Sequence, residues 1–99
     1  LYADFDHSQI QYAVLTYAIV HHTNFHDSKL EGVDLSHKDL TGTILTEADL
    51  TGANLAGVDL SDKDLTGTIL KGADLTDKLI TSETWGQFRK LSDILETNL

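Results

Sequence analysis

Ninety-nine residues make one small domain, in which 16 Asp and Glu outweigh seven Lys and Arg for a formal charge of −9. That balance argues against direct binding to nucleic-acid phosphates, which depends on Lys and Arg. The chain has no cysteine, which excludes disulfides and Cys-based zinc sites, and no apolar run approaches the ~20 residues of a membrane span.

In chain order the first signal is a period. Every fifth residue is large and apolar: Phe5, Ile10, Leu15, Val20, Phe25, Leu30, Leu35, Leu40, Leu45, Leu50, Leu55, Leu60, Leu65, Leu70, Leu75 and Ile80. Five fits neither the 3.6 of a helix nor the 2.0 of a strand, and an iterated unit of this kind marks a solenoid. Around each apolar centre the pattern is regular. The residue two before it is usually small, as in Ala3, Ala13, Thr23, Ser28, Ala48 and Ala73. The residue just before it is often Asp or Asn, as in Asp34, Asp39, Asp49, Asn54, Asp59, Asp64 and Asp74. After it comes Thr or Ser and frequently Gly, as in Thr41-Gly42, Thr51-Gly52 and Thr66-Gly67.

The stretch Ala48-Asp49-Leu50-Thr51-Gly52-Ala53-Asn54-Leu55 holds two copies of this unit. It resembles the pentapeptide-repeat family, over roughly residues 3–82. The resemblance implies an all-β solenoid, a right-handed quadrilateral β-helix of about four coils with a C-terminal α-helical cap. In that fold the centre and the small residue point inward, and Gly or Asn/Asp suits the corners. Four units per coil stack residues twenty apart, so Phe5 should lie over Phe25. The organisation expected is a β-helix over 1–82 and a capping helix over 83–99. The segments 33–57 and 58–82 are near copies offset by twenty-five, one side of the square, and tandem duplication accounts for them.

Departures from the pattern are where function should lie. In the first coil Tyr12, Val14, Tyr17 and Ile19 form an apolar outer patch, a candidate interaction surface. Ile44, Ile69 and Leu79 are outward apolar residues elsewhere. His21, His22 and His26, with Asp27 and Glu31 nearby, have the composition of a metal site, but outward side chains on successive sides diverge, so no metal is expected. Lys38, Lys63 and Lys78 occupy the small inward position. An unpaired buried ammonium is costly, so their charges should reach out, with Asp39 and Asp64 as partners and widened turns as the structural mark.

From about Ser82 the period stops. Thr84 and Gln87 fit a capping box, and Trp85, Phe88, Leu91, Ile94 and Leu95 share one helical face. Trp85, Phe88, Leu91 and Leu95 are the candidate cap and dimer contacts. The repeat already runs at Ala3 with no cap ahead of it, the mark expected of a piece of a longer chain.

No Ser-His-Asp arrangement, phosphate-cradling loop or cleft is implied, and the Asp/Asn ladder is explained by side chains bonding to turn backbone. The reading is a non-catalytic interaction or scaffold module with no cofactor and no catalytic or metal-binding residues. Its partner would be a protein, not nucleic acid or membrane, with a homodimer or further domains of a longer chain as alternatives. The resemblance offers two narrower versions. One is an N-terminal recruiting domain of a bacterial effector such as a HECT-like ubiquitin ligase, working in the host cell. The other is an acidic DNA mimic that binds gyrase, for which four coils of about 19 Å are short. Otherwise a cytoplasmic location is expected. An excised or designed repeat fragment is a third origin, which the irregular first coil opposes.

Overall fold

The parallel bridges of the computed structural model, which describes residues 3–15, 18–61, 63–79, 81, 84, 86 and 87, join residue i to residue i + 20. They pair Asp4 with Asn24, Asn24 with Ile44, Gln9 with Lys29, Lys29 with Asp49, Asp49 with Ile69, Asp34 with Asn54, Asn54 with Asp74, and Asp59 with Leu79. Four five-residue units therefore complete each turn of a quadrilateral β-helix. Side 1 carries the centres Phe5, Phe25, Leu45 and Leu65; side 2 Ile10, Leu30, Leu50 and Leu70; side 3 Leu15, Leu35, Leu55 and Leu75; side 4 Val20, Leu40 and Leu60. Ile80 lies outside the described residues.

The centres fill the interior. Those from Val20 to Leu75 are all buried, and Val33, Ala48, Ala53, Val58 and Ala73 fill the small positions beside them. At Thr43 and Thr68 the hydroxyl in that position is absorbed by backbone: Thr43 Oγ1 donates to the Leu40 carbonyl at 2.7 Å and Thr68 Oγ1 to that of Leu45 at 2.9 Å. Buried hydroxyls so paired avoid the cost of a lost hydrogen bond. The Phe5 and Phe25 rings stack with centroids 5.7 Å apart and planes 12° from parallel, as the twenty-residue register requires.

Each corner is a turn closed from the N–H of the small residue to the carbonyl of the preceding centre, as in Ser8 to Phe5 at 2.9 Å and Ala53 to Leu50 at 3.0 Å. The residue two after the centre has positive φ, +70° at Gly42 and +68° at Gly52, which identifies a type II turn. His22, His37, Glu47 and Tyr12 also hold this conformation, at a cost of roughly 1–2 kcal/mol for a non-glycine residue. The following coil accommodates them. Tyr12 lies over Gly32, His22 over Gly42, His37 over Gly57 and Glu47 over Gly67, each in the space a β-carbon would take. Gly52 has open space at that point. Gly52→Ala should therefore cost only the backbone term, ~1–2 kcal/mol, whereas Gly42→Ala must also displace the His22 ring. Urea unfolding midpoints should rank wild type, then Gly52→Ala, then Gly42→Ala.

The duplicated segments land as the offset of twenty-five demands. Val33 and Leu35 lie on side 3, Val58 and Leu60 on side 4, and all four are buried. At the far end Thr84, Gly86 and Gln87 are helical. Gln87 does not close a capping box; its Oε1 accepts the Leu65 N–H at 2.9 Å and its Nε2 donates to the Lys63 carbonyl at 3.4 Å. A side-chain amide thus stands in for the next strand, because Leu65 would otherwise bury an unpaired N–H. Trp85, Phe88, Leu91, Ile94 and Leu95 lie outside the described residues.

Candidate binding face

Side 2, and side 3 from Asp34 onward, are sealed by ladder bonds such as Leu50 N–H to the Ile69 carbonyl and Leu55 N–H to that of Asp74, at 2.8 and 2.7 Å. The ladder is interrupted where side 4 meets side 1. Among the described residues, Ile19 and Asp39 and Asp39 and Asp59 on side 4, and Ile44 and Asp64 on side 1, form no bridge, and neither do Val14 and Asp34 on side 3. The gap between residues 38–45 and 58–65 opens as a crevice of about 430 Å³ lined by Lys38, Asp39, Thr41, Asp59, Lys63 and Asp64, among others. A filled rod was expected to offer no cleft. This crevice corrects that, and Lys38 and Lys63, in positions built for small side chains, line it.

Lys63 is half-buried, and its Nζ donates to the Leu40 carbonyl and, at 3.2 Å, to that of Thr43. Burial pushes its pKa below the ordinary lysine value, opposed by the carboxylates of Asp39 and Asp59. Lys38 Nζ donates to the Ala18 carbonyl at 3.1 Å. Lys38 reaches the exposed surface as expected and bonds the Ala18 carbonyl there, whereas Lys63 keeps its ammonium part-buried on main-chain carbonyls, with Asp39 and Asp59 as the acids beside it. Lys78 leaves its side intact, since Asp59 and Leu79 remain bridged.

The acids on this face are fixed by their own turns. Asp39, Asp59 and Asp64 each accept, through Oδ1, the N–H of the residue two ahead, at 2.9 to 3.0 Å. Asp34 and Asp74 on side 3 do the same. In Asp34, Asp39, Asp59 and Asp64 the bond from the following hydroxyl is the larger cause and that from the N–H the second, whereas in Asp74 the N–H leads; together they hold each carboxyl below the ordinary value of 3.8. A depressed folded pKa means that the unfolded chain takes up protons first. The stability these bonds supply is therefore present above the ordinary carboxylate range and is lost as pH falls through the folded values. Urea midpoints should drop between pH 7 and pH 3. Replacing all five by Asn should remove most of that drop, since Asn54 makes the same bond to the Ala56 N–H at 3.0 Å.

The sequence-derived patch is distributed around the first coil. Tyr12 is 75% exposed at a corner, Val14 86% on side 3 and Ile19 80% on side 4; Tyr17 lies outside the described residues. Of these, Ile19 borders two further hollows, one with Ala18, Val20, His21, His37, Lys38 and Asp39, the other with Ala3, His21 and Thr23. It therefore extends the side 4 groove. The histidines do not converge. His21 and His22 pack edge to face, His26 Nδ1 pairs with Thr46 Oγ1 at 2.7 Å, and His7 bridges Asp6 and Asp27 at 2.8 and 3.1 Å. Among the described residues no three acids or histidines form a metal-binding group.

Comparison with known proteins fits this geometry. The family model for pentapeptide repeats matches in eight copies, over residues 8–47, 23–62 and 43–77. The chain belongs to the pentapeptide-repeat family. Among solved pentapeptide-repeat structures it is similar to HetL, described as involved in heterocyst differentiation regulation, from the cyanobacterium Nostoc sp. strain PCC 7120. The TM-score is 0.73 and the identity 27%, over 82% of this chain and 40% of HetL. A pentapeptide-repeat protein of the Arabidopsis thaliana thylakoid lumen aligns at 26% identity and a TM-score of 0.47, over 90% of this chain and 72% of that one. The curated proteins contain no match to the chain.

Proposed function

We propose that this chain is a non-catalytic interaction module whose side 4 engages a protein partner. The observation that carries the reading is the open groove on side 4 of an otherwise filled column. It places exposed Ile19 beside Asp39, which forms no bridge with Ile19 in the coil before it or with Asp59 in the coil after it. Elsewhere the column presents the repeat itself, and a packed interior with variation on the outside is the arrangement of a recognition scaffold. The similarity to HetL, a protein described in a regulatory role, supports a binding function over catalysis.

The test is quantitative capture with the whole chain and two variants. Ile19→Asp with Asp39→Asn and Asp59→Asn alters the groove while keeping the turn acceptors, and Asp34→Asn with Asp74→Asn makes the same change of acids on side 3. A partner retained by wild type and the side 3 variant but lost by the side 4 variant is the expected result. Equal capture by all three would overturn the assignment of the face.

A further inference from the structure

The cause of the opening can be read from which donor each carbonyl receives. In intact parts of the column the carbonyl of the small residue accepts the N–H of the residue twenty-one ahead: Ala3 from Asn24, Thr23 from Ile44, Ala48 from Ile69 and Val58 from Leu79, at 2.9 to 3.1 Å. By that register the Thr43 carbonyl should receive the Asp64 N–H and the Ala18 carbonyl the Asp39 N–H. Thr43 receives Lys63 Nζ instead, and Ala18 receives Lys38 Nζ. Each lysine has taken the acceptor that belongs to the backbone of its own next residue.

We propose that Lys38 and Lys63 are wedges: by substituting their ammonium groups for main-chain donors they unzip the ladder, Lys38 between residues 18–20 and 38–40 and Lys63 between residues 38–45 and 58–65, and hold it open. This does not rest on the binding reading. A charge-assisted hydrogen bond is stronger than an amide one, so the ammonium wins the carbonyl. The longer side chain then prevents the strand behind it from approaching. The loss spreads along the seam. The bonds that the register requires from the Leu40, Gly42 and Leu45 N–H groups to the Asp59, Ser61 and Asp64 carbonyls are all missing, whereas Phe25, Gly32 and Leu35 make the equivalent ones at 2.8 to 3.0 Å. Beneath Lys38 and Lys63 stand Ala18 and Thr43, whose carbonyls the two ammonium groups reach. Beneath Lys78 stands Val58, and there the ladder stays shut. The separation of Val14 from Asp34 has no lysine beside it, and the wedge does not explain it.

The experiment is amide hydrogen exchange on the whole chain and on Lys63→Thr, which restores the residue type of Thr23 and Thr43 at this position. The variant should remain folded, unfold at higher urea, and slow exchange at Leu40, Gly42, Leu45 and Asp64 by about tenfold or more as those amides gain partners. Leu30 and Leu55, already paired, should gain no more than the global increase. Lys63→Arg, which keeps a charged donor on a long stem, should exchange as wild type does. A Lys63→Thr protein that unfolds more readily, or whose seam amides still exchange at the wild-type rate, would overturn the wedge.

Discussion

Leu50→Ala should destabilise the column by about 2–5 kcal/mol, the range for emptying a leucine site in a packed core. Leu50 is fully buried, and the coils before and after it place Leu30 and Leu70 in the same inner column, so the void has rigid walls above and below. A domain of this size has ~5–15 kcal/mol to lose, and the upper end of the range would leave little fold at room temperature. Ile69 is the built-in comparison, since it lies on the same side but points outward. Ile69→Ala should change stability by less than about 1 kcal/mol. Urea denaturation of both variants, followed by circular dichroism, measures the contrast.

Deleting Thr51 alone should unfold the second half of the chain, while deleting residues 51–55 together should leave a folded column. One lost residue moves Ala56, Ser61, Thr66, Lys71 and Thr76 into the inner slots now held by Leu55, Leu60, Leu65, Leu70 and Leu75. Each displaced leucine forfeits roughly 1.5–3 kcal/mol, and five together match or exceed the ~5–15 kcal/mol that holds a small domain. Five lost residues instead bring Leu60 into the slot of Leu55 and turn everything after it by one side. The chain already carries that experiment, because its duplicated segments sit on different sides with their core residues equally buried. Dispersed amide resonances for the five-residue deletion and collapsed ones for the single deletion are the expected spectra. Equal damage from both would mean that side identity, and not the inward period, specifies the fold.

What the sequence discloses follows from how local each feature is. The inward set is written one residue in five, so Leu30, Leu50 and Leu75 are placed by counting alone. The turn acceptors Asp34, Asp49 and Asp74 are equally local, since each bonds two residues ahead. The open seam depends on what lies twenty residues away. Lys38, Lys63 and Lys78 are three instances of one irregularity, and two of them part the ladder while the third does not. Which carbonyl an ammonium reaches, that of Ala18 for Lys38 and that of Thr43 for Lys63, is set only when the coils stack. The groove is therefore not legible in the sequence, although the lysines that line it stand out there as irregular. The residues of the first-coil patch are close in sequence, whereas the square column sends Val14 and Ile19 to different sides.

The column is laddered along side 2 and, from Asp34 onward, side 3, and it parts along the seam of residues 38–45 against 58–65. Amide hydrogen exchange of the unmodified chain measures it directly. The structure predicts slow exchange at Leu30, Leu50, Asn54 and Leu55, and fast exchange at Leu40, Gly42 and Leu45. Equal protection at both sets of amides would contradict it.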